Sequence, residues 1–321
     1  MIDRFGRTID YLRISITDRC NMRCRYCMPD GISAVGHEDI LRYEEILAIC
    51  RAALRLGISR FKVTGGEPFI RKGAADFIQK LRQLPGTASV TVTTNGWLLP
   101  QVLLDLQHIG IDGINISLDS LDRMQYQAIT GVDALPDVVR AIYRSAASGI
   151  RTKINAVLLD DTKEQIVRLA HLAETIPVDV RFIEVMPIGC GAYQRGCSAD
   201  EALTMLRAAY PDLTPVSTRR GNGPATYYGS CALKGYIGII AANSHIFCQH
   251  CNRLRLTSTG FLKPCLCYDD GVDLRRIVRS GQGELALIHA IEEAVAYKPA
   301  HHCFHEVQAV TEHKGMNEIG G

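Results

Sequence analysis

The chain has 321 residues, a formal net charge of +2, 47% hydrophobic residues and 22% charged residues. That balance suits a globular protein of one large or two medium domains, and it excludes a general affinity for nucleic acid or membrane. No apolar run approaches the about 20 residues of a membrane span, and the polar start Met1 to Arg7 is no signal peptide, so a cytoplasmic protein is expected.

The first predicted element is a β-branched run, Tyr11–Thr17, followed at once by Cys20, Cys24 and Cys27. Further strands are predicted over Arg60–Thr64, Ser89–Thr94, Gly113–Leu118, Thr152–Leu158 and Val180–Met186. Amphipathic helical patterns fill the gaps at Tyr43–Leu56, Ala74–Leu84, Leu98–Ile109, Leu135–Ser148 and Lys163–Thr175. Gly57, Gly110 and Gly149 follow three of these helices, where a C-terminus wants a residue free to take positive φ. Strand–helix alternation at this spacing implies parallel pairing. Six such units fall short of the eight that close a full barrel, so an α/β fold is expected, an open (β/α)6 partial barrel resembling a TIM barrel. Around Pro215–Ala232 the composition turns rich in Arg, Gly, Ser and Pro, and alternation resumes at Tyr236–Ala241. The expected division is residues 1–214 for the barrel and 215–321 for a smaller α+β domain closing its open side.

The polar and glycine-rich pieces fall just after the strands: the first cysteines, Gly65-Gly66-Glu67-Pro68, Asn95-Gly96 and Asp119-Ser120. Each alone is ordinary turn chemistry, but together they converge on the carboxyl-terminal rim where barrel active sites lie.

Twelve cysteines exceed what packing needs. In a core-rich chain of this size they point to metal or cluster ligation rather than a disulfide scaffold. The first group has the spacing C-x3-C-x2-C with Tyr26 before its last member. Three thiolates suit zinc, or an iron–sulfur cluster with one iron left open. The second group, Cys248, Cys251 and Cys265, has the spacing C-x2-C-x13-C. There zinc is a serious rival, with His250 or Cys267 as fourth ligand. Arg253 and Arg255 leave Cys251 on one face of a strand, and two guanidinium forks beside a cluster suit a phosphate ligand. No G-x4-G-K-[ST] loop is present, so a triphosphate would have to be held by such side chains.

These pieces resemble one family across nearly the whole chain, the GTP 3′,8-cyclases of molybdenum-cofactor biosynthesis, which are radical S-adenosylmethionine (SAM) enzymes. The resemblance runs through Gly6-Arg7, Tyr11 to Cys20, Val63 to Pro68, Thr93 to Gly96 and Asn115 to Ser120. It continues through Lys153 to Asn155, Arg181 to Pro187, Phe247 to Thr257 and the terminal Ile319-Gly320-Gly321. It implies a lyase that converts GTP to (8S)-3′,8-cyclo-7,8-dihydroguanosine 5′-triphosphate with two [4Fe–4S] clusters and SAM. Cys20, Cys24 and Cys27 would ligate the SAM-binding cluster. Tyr26, Gly66, Ser117 and Met186 would contact SAM, and Glu67 would meet an ammonium or ribose group.

On the same resemblance, Cys248, Cys251 and Cys265 would hold an auxiliary cluster facing the guanine of GTP. Arg13, Lys62, Thr93, Lys153, Arg253, Leu254 and Arg255 would contact GTP, with Arg253 and Arg255 also catalytic. The Gly320-Gly321 tail would reach back into the pocket. Implied partners are a reductant such as a flavodoxin or ferredoxin, a downstream cyclic pyranopterin synthase, and a second copy in a homodimer. Three positions depart from the family pattern. Lys62 stands where arginine is more frequent, keeping charge but losing the bidentate fork. The Cys190 to Cys197 segment is short and unusual, and His301 to His305 is metal-like only in composition. Two other readings are a radical SAM enzyme acting on a peptide and an iron–sulfur electron carrier. The first leaves the basic residues unexplained, and the second leaves the Gly-Gly-Glu and Ser-Leu-Asp elements unused.

Overall fold

The computed structural model describes residues 1–31, 35–218, 220–245 and 247–320. Twelve strands form one continuous sheet: β1 (Tyr11–Ser15), β2 (Arg60–Thr64), β3 (Ser89–Thr94), β4 (Gly113–Ser117), β5 (Thr152–Leu158), β6 (Asp179–Glu184), β7 (Thr214–Val216), β8 (Thr226–Gly229), β9 (Ile237–Ile240), β10 (Arg253–Leu256), β11 (Phe261–Lys263) and β12 (Val272–Asp273). Their order is β12-β11-β10-β1-β2-β3-β4-β5-β6-β9-β8-β7. All six expected strands are present and parallel in chain order.

The parallel run is longer than six. Strand β10 pairs parallel to β1, and β9 pairs parallel to β6, so residues beyond 215 extend the sheet at both edges. Antiparallel strands then finish each side, β11 and β12 beyond β10, β8 and β7 beyond β9. Among the described residues the two outer strands do not pair with each other, so the sheet stays open.

The parallel strands alternate: one face packs apolar side chains on the helices, and the other turns Arg13, Lys62, Thr93 and Arg181 to a cavity. Ile14, Phe61, Val63, Val92, Ile114, Ile116, Ile154 and Val180 are all fully buried against helices such as Tyr43–Arg55 and Leu135–Ala147. Helix Glu284–Ala296, from the last third of the chain, packs on Tyr43–Arg55. Gly110 ends helix Leu99–Ile109 with φ +70°, as its position predicts. The expected helix over Lys163–Thr175 is two shorter ones, Gln165–Ala170 and Leu172–Thr175, separated at His171. Strand β1 ends at Ser15, whose Oγ donates to the Thr17 carbonyl where the chain leaves for the cysteines. No helix among the described residues is long and apolar enough to cross a membrane.

Candidate active site

The loop after β1 carries the first cysteines, and its backbone is fixed on several sides. The Arg23 and Arg25 amides donate to the carbonyls of Thr130 and Ile129, while the Cys24 carbonyl accepts from Cys27 and Met28. Side chains then brace it: Asn95 Nδ2 lies 3.8 Å from Cys20 Sγ and donates to Asn21 Oδ1 at 2.7 Å. Tyr26 donates to Asp119 Oδ2 at 2.7 Å, and Asp119 Oδ1 accepts from the Val157 amide.

The Gly65-Gly66 loop lies directly on this one. A Cβ on Gly65 would sit 2.5 Å from the Thr17 carbonyl oxygen, and one on Gly66 would sit 2.3 Å from that of Arg19. Glycine is therefore required for loop-against-loop contact, and the amides of Gly66 and Glu67 complete it by donating to Thr17 and Arg19. Glu67 differs from its expected role. Its carboxylate is fully buried and accepts from the Phe69 and Asn95 amides and from Thr94 Oγ1. Burial pushes it up to about 7 even against those hydrogen bonds. It ties three loops together and does not line the cavity.

All three thiols face one cavity with Tyr26, Gly66, Ser117 and Met186. Burial raises Cys24 well above its ordinary pKa, with Asp119, Cys27 and Cys20 adding to it, and burial raises Cys27 to about 12. Three thiols in C-x3-C-x2-C spacing that converge on one cavity fit an iron cluster with one iron left open. Cys190 is close enough to contribute to the Cys27 shift, and Gly191 beside it lines the same cavity.

The same cavity is also lined by cations. Strand register sets Arg255, Arg13 and Lys62 side by side on three neighbouring strands. Arg13, Lys62, Thr93, Arg181, Arg253 and Arg255 line the cavity, while Lys153 lines an adjoining one that shares Lys62 and Arg181. Burial holds Lys62 well below its ordinary range, and Arg181, Arg13, Lys153 and Arg253 deepen the shift. Arg255 is lowered in the same way, by burial and then by Arg13 and Arg253. Lys153 falls to about 7 through burial and Arg181, against the pull of Asp179. It donates to Tyr227 Oη at 2.7 Å and to the Arg220 carbonyl. So many buried like charges suit a polyanion.

Leu254 differs from its neighbours, because strand alternation puts its side chain in the apolar core. Only its backbone can serve the pocket. Arg181 was not singled out from the sequence, yet it lines both cavities and is held by Asn115 and Asn155 at 2.9 Å each. The signal was there: both asparagines lie in the quoted motifs on β4 and β5.

The second cysteine group adjoins these cations through Arg253. The Arg253 guanidinium carbon lies 5.3 Å from the Phe247 ring centroid. Cys248 begins a single helical turn, Cys248–His250, and its thiol accepts from the His302 amide at 3.4 Å. Arg7 Nη1 donates to the Cys248 carbonyl at 3.1 Å, and Lys298 Nζ donates to the carbonyls of Arg253 and Pro264 at 2.8 and 2.5 Å. Burial raises Cys251, but Arg253 and Lys298 outweigh it and bring the thiol down to about 6. A thiolate-favouring site of this kind suits a thiolate-bound metal or cluster.

Zinc at the second group would need His250 or Cys267 as its fourth ligand. His250 is exposed, and Cys267 pairs instead with Cys303. In the His301 to His305 stretch, His302 stacks on Phe304 with centroids 4.3 Å apart.

The tail does return to the pocket. Gly320 accepts from Arg255 Nη1 at 2.6 Å, Asn317 donates to the Asp18 carbonyl, and Met316 and Asn317 line the cavity. Gly321 lies outside the described residues.

Comparison with known proteins agrees with this geometry. Residues 14–173 match the Radical SAM superfamily, and residues 178–304 match the family described as Molybdenum Cofactor Synthesis C. A GTP 3′,8-cyclase of Clostridium perfringens (strain SM101 / Type A) is 38% identical over 323 residues, covering 100% of both chains. One from Moorella thermoacetica is 40% identical over 326 residues with the same coverage. The crystal structure of Streptococcus suis SuiB bound to S-adenosylmethionine matches with a TM-score of 0.62 at 15% identity. That match covers 88% of this chain and 68% of the other, and it speaks for the fold. Full-length identity at this level, with both cysteine groups and the basic wall in place, makes this chain a member of the GTP 3′,8-cyclase family within the radical SAM superfamily.

Proposed function

We propose that the chain converts GTP to (8S)-3′,8-cyclo-7,8-dihydroguanosine 5′-triphosphate, the first step of molybdenum-cofactor biosynthesis. The observation that carries this reading is one cavity lined both by the Cys20, Cys24 and Cys27 thiols and by Arg13, Lys62, Arg181, Arg253 and Arg255. Cys20, Cys24 and Cys27 would hold the SAM-binding [4Fe–4S] cluster, with Tyr26, Gly66, Ser117 and Met186 around SAM. When bound, the cluster and SAM supply the one-electron chemistry that removes the hydrogen from the ribose 3′ carbon of GTP.

The chain's own residues bind, orient and enclose. Arg13, Lys62, Lys153, Arg253 and Arg255 neutralise the triphosphate, Thr93 offers a hydroxyl, and Leu254 contributes backbone. Arg253 and Arg255 stand nearest the Cys248, Cys251 and Cys265 group, where the guanine would meet a second [4Fe–4S] cluster and where ring closure needs a charge held in place. The boundary near residue 214 separates the SAM-binding part from the part that carries the auxiliary cluster. Family membership further supports a flavodoxin or ferredoxin as reductant, a cyclic pyranopterin synthase downstream, a homodimer and a cytoplasmic location.

The two-cluster reading has a direct test. Protein reconstituted anaerobically is expected to carry about eight irons per chain and no zinc, and about four irons with one zinc would refute it. A second expectation concerns protons. Lys153 is largely neutral above about pH 7 in the free protein, and a bound triphosphate favours its charged form. GTP binding at about pH 8 should therefore take up protons, and affinity should fall as pH rises through 7. Calorimetry in buffers of different ionisation enthalpy reads this, and Lys153→Arg should reduce the uptake while keeping affinity. Equal heats in all buffers would contradict it.

A further inference from the structure

Two cysteines that neither cluster uses lie together behind the auxiliary site. Cys267 and Cys303 are 36 residues apart in sequence, yet their sulfurs are 2.9 Å apart in a small apolar cluster with Ile188, Leu266, Phe304, Val310 and Ile319. The Cys303 amide also donates to Cys267 Sγ at 3.3 Å, so the backbone holds the pair in register. Both are buried, Cys267 fully and Cys303 at 8% exposed, so Cys303 is the less enclosed of the two. Each sits on a segment that supports a cluster ligand. Cys267 is two residues after Cys265, and Cys303 follows His302, whose amide donates to Cys248 Sγ.

We propose that Cys267 and Cys303 are a thiol–disulfide redox site, distinct from the cluster ligands, that reacts with a small disulfide oxidant and staples the Cys265 loop to the segment beneath Cys248. Cys303 attacks the oxidant RSSR, forming a mixed disulfide and releasing one RSH. Cys267 then attacks the Cys303 sulfur and releases the second RSH. Two S–H bonds are lost and one S–S bond forms, while the oxidant gains two electrons and two protons. In a reducing cytoplasm such a pair stays as thiols and closes only when the thiol pool is oxidised. Closure covalently joins two segments that otherwise meet only through packing and hydrogen bonds, and so holds the auxiliary site together.

The test uses the full, cluster-loaded chain under anaerobic conditions, equilibrated across a series of glutathione to glutathione disulfide ratios. The expected result is a peptide carrying Cys267 joined to one carrying Cys303, with loss of two hydrogens, reversible by dithiothreitol and without loss of iron. Cys303→Ala and Cys267→Ala should each abolish the cross-link and leave the iron count unchanged. Two results would overturn the proposal: both thiols alkylated singly across the whole series, or Cys303 found joined to Cys265.

Discussion

Cys24→Ser is expected to abolish SAM cleavage and to remove about four irons per chain while leaving the fold intact. The turn at this position is made by backbone, the Cys24 carbonyl accepting from Cys27 and Met28, so a serine of similar size preserves it. What serine lacks is a thiolate. A buried hydroxyl is a poor iron ligand at neutral pH, and two remaining cysteines cannot hold a cubic cluster that already spends one iron on its substrate side. Cys248→Ser should also lose about four irons, yet SAM cleavage should persist in it, uncoupled from GTP. Iron analysis and 5′-deoxyadenosine formation separate the two variants. Full iron content and SAM cleavage in Cys24→Ser would contradict the assignment of the first cluster.

The second large effect belongs to Arg255. Its guanidinium is buried beside Arg13 and Arg253 and donates to the Gly320 carbonyl. Charge-assisted hydrogen bonds to an anion contribute about 1.5–3 kcal/mol, so Arg255→Met is expected to weaken GTP binding roughly 10- to 100-fold. The effect on the unliganded protein has the opposite sense. Removing a desolvated cation from among like charges relieves a repulsion, and this offsets the single lost bond to Gly320. The unliganded variant should therefore melt no lower than the parent while binding GTP poorly. Titration with GTP and a thermal melt check the two halves. A melting point several degrees lower with unchanged affinity would mean that Arg255 serves the fold and not the ligand. Active sites that store like charge in this way trade stability for binding.

Much of this was legible in the residues themselves. Strands β1 to β6 announce themselves because each is short and alternates, with β-branched or aromatic residues on the helix-facing side. The cysteine triplet, the Gly-Gly-Glu turn and the Arg-Leu-Arg strand were legible because their chemistry is local in sequence. The contributions of β9 and β10 were not, since pairing Tyr11 with Arg253 or Val180 with Ile237 joins segments that no local pattern links. Glu67 shows the same limit at one side chain: a conspicuous acid beside glycines looked like a ligand contact, but its oxygens are consumed by Thr94, Asn95 and Phe69. The helix Ala199–Ala209 is a different case. Its capping box, Ser198 with Glu201, is local in sequence and marks the helix start.

One cavity is proposed to bring a SAM-derived radical to the ribose of GTP. The most direct measurement is anaerobic turnover of the fully reconstituted protein with dithionite, SAM and GTP deuterated at the 3′ carbon. The predicted result is loss of GTP matched by a 3′,8-cyclised dihydroguanosine triphosphate, with deuterium recovered in 5′-deoxyadenosine. Unlabelled 5′-deoxyadenosine with GTP unconsumed would contradict it.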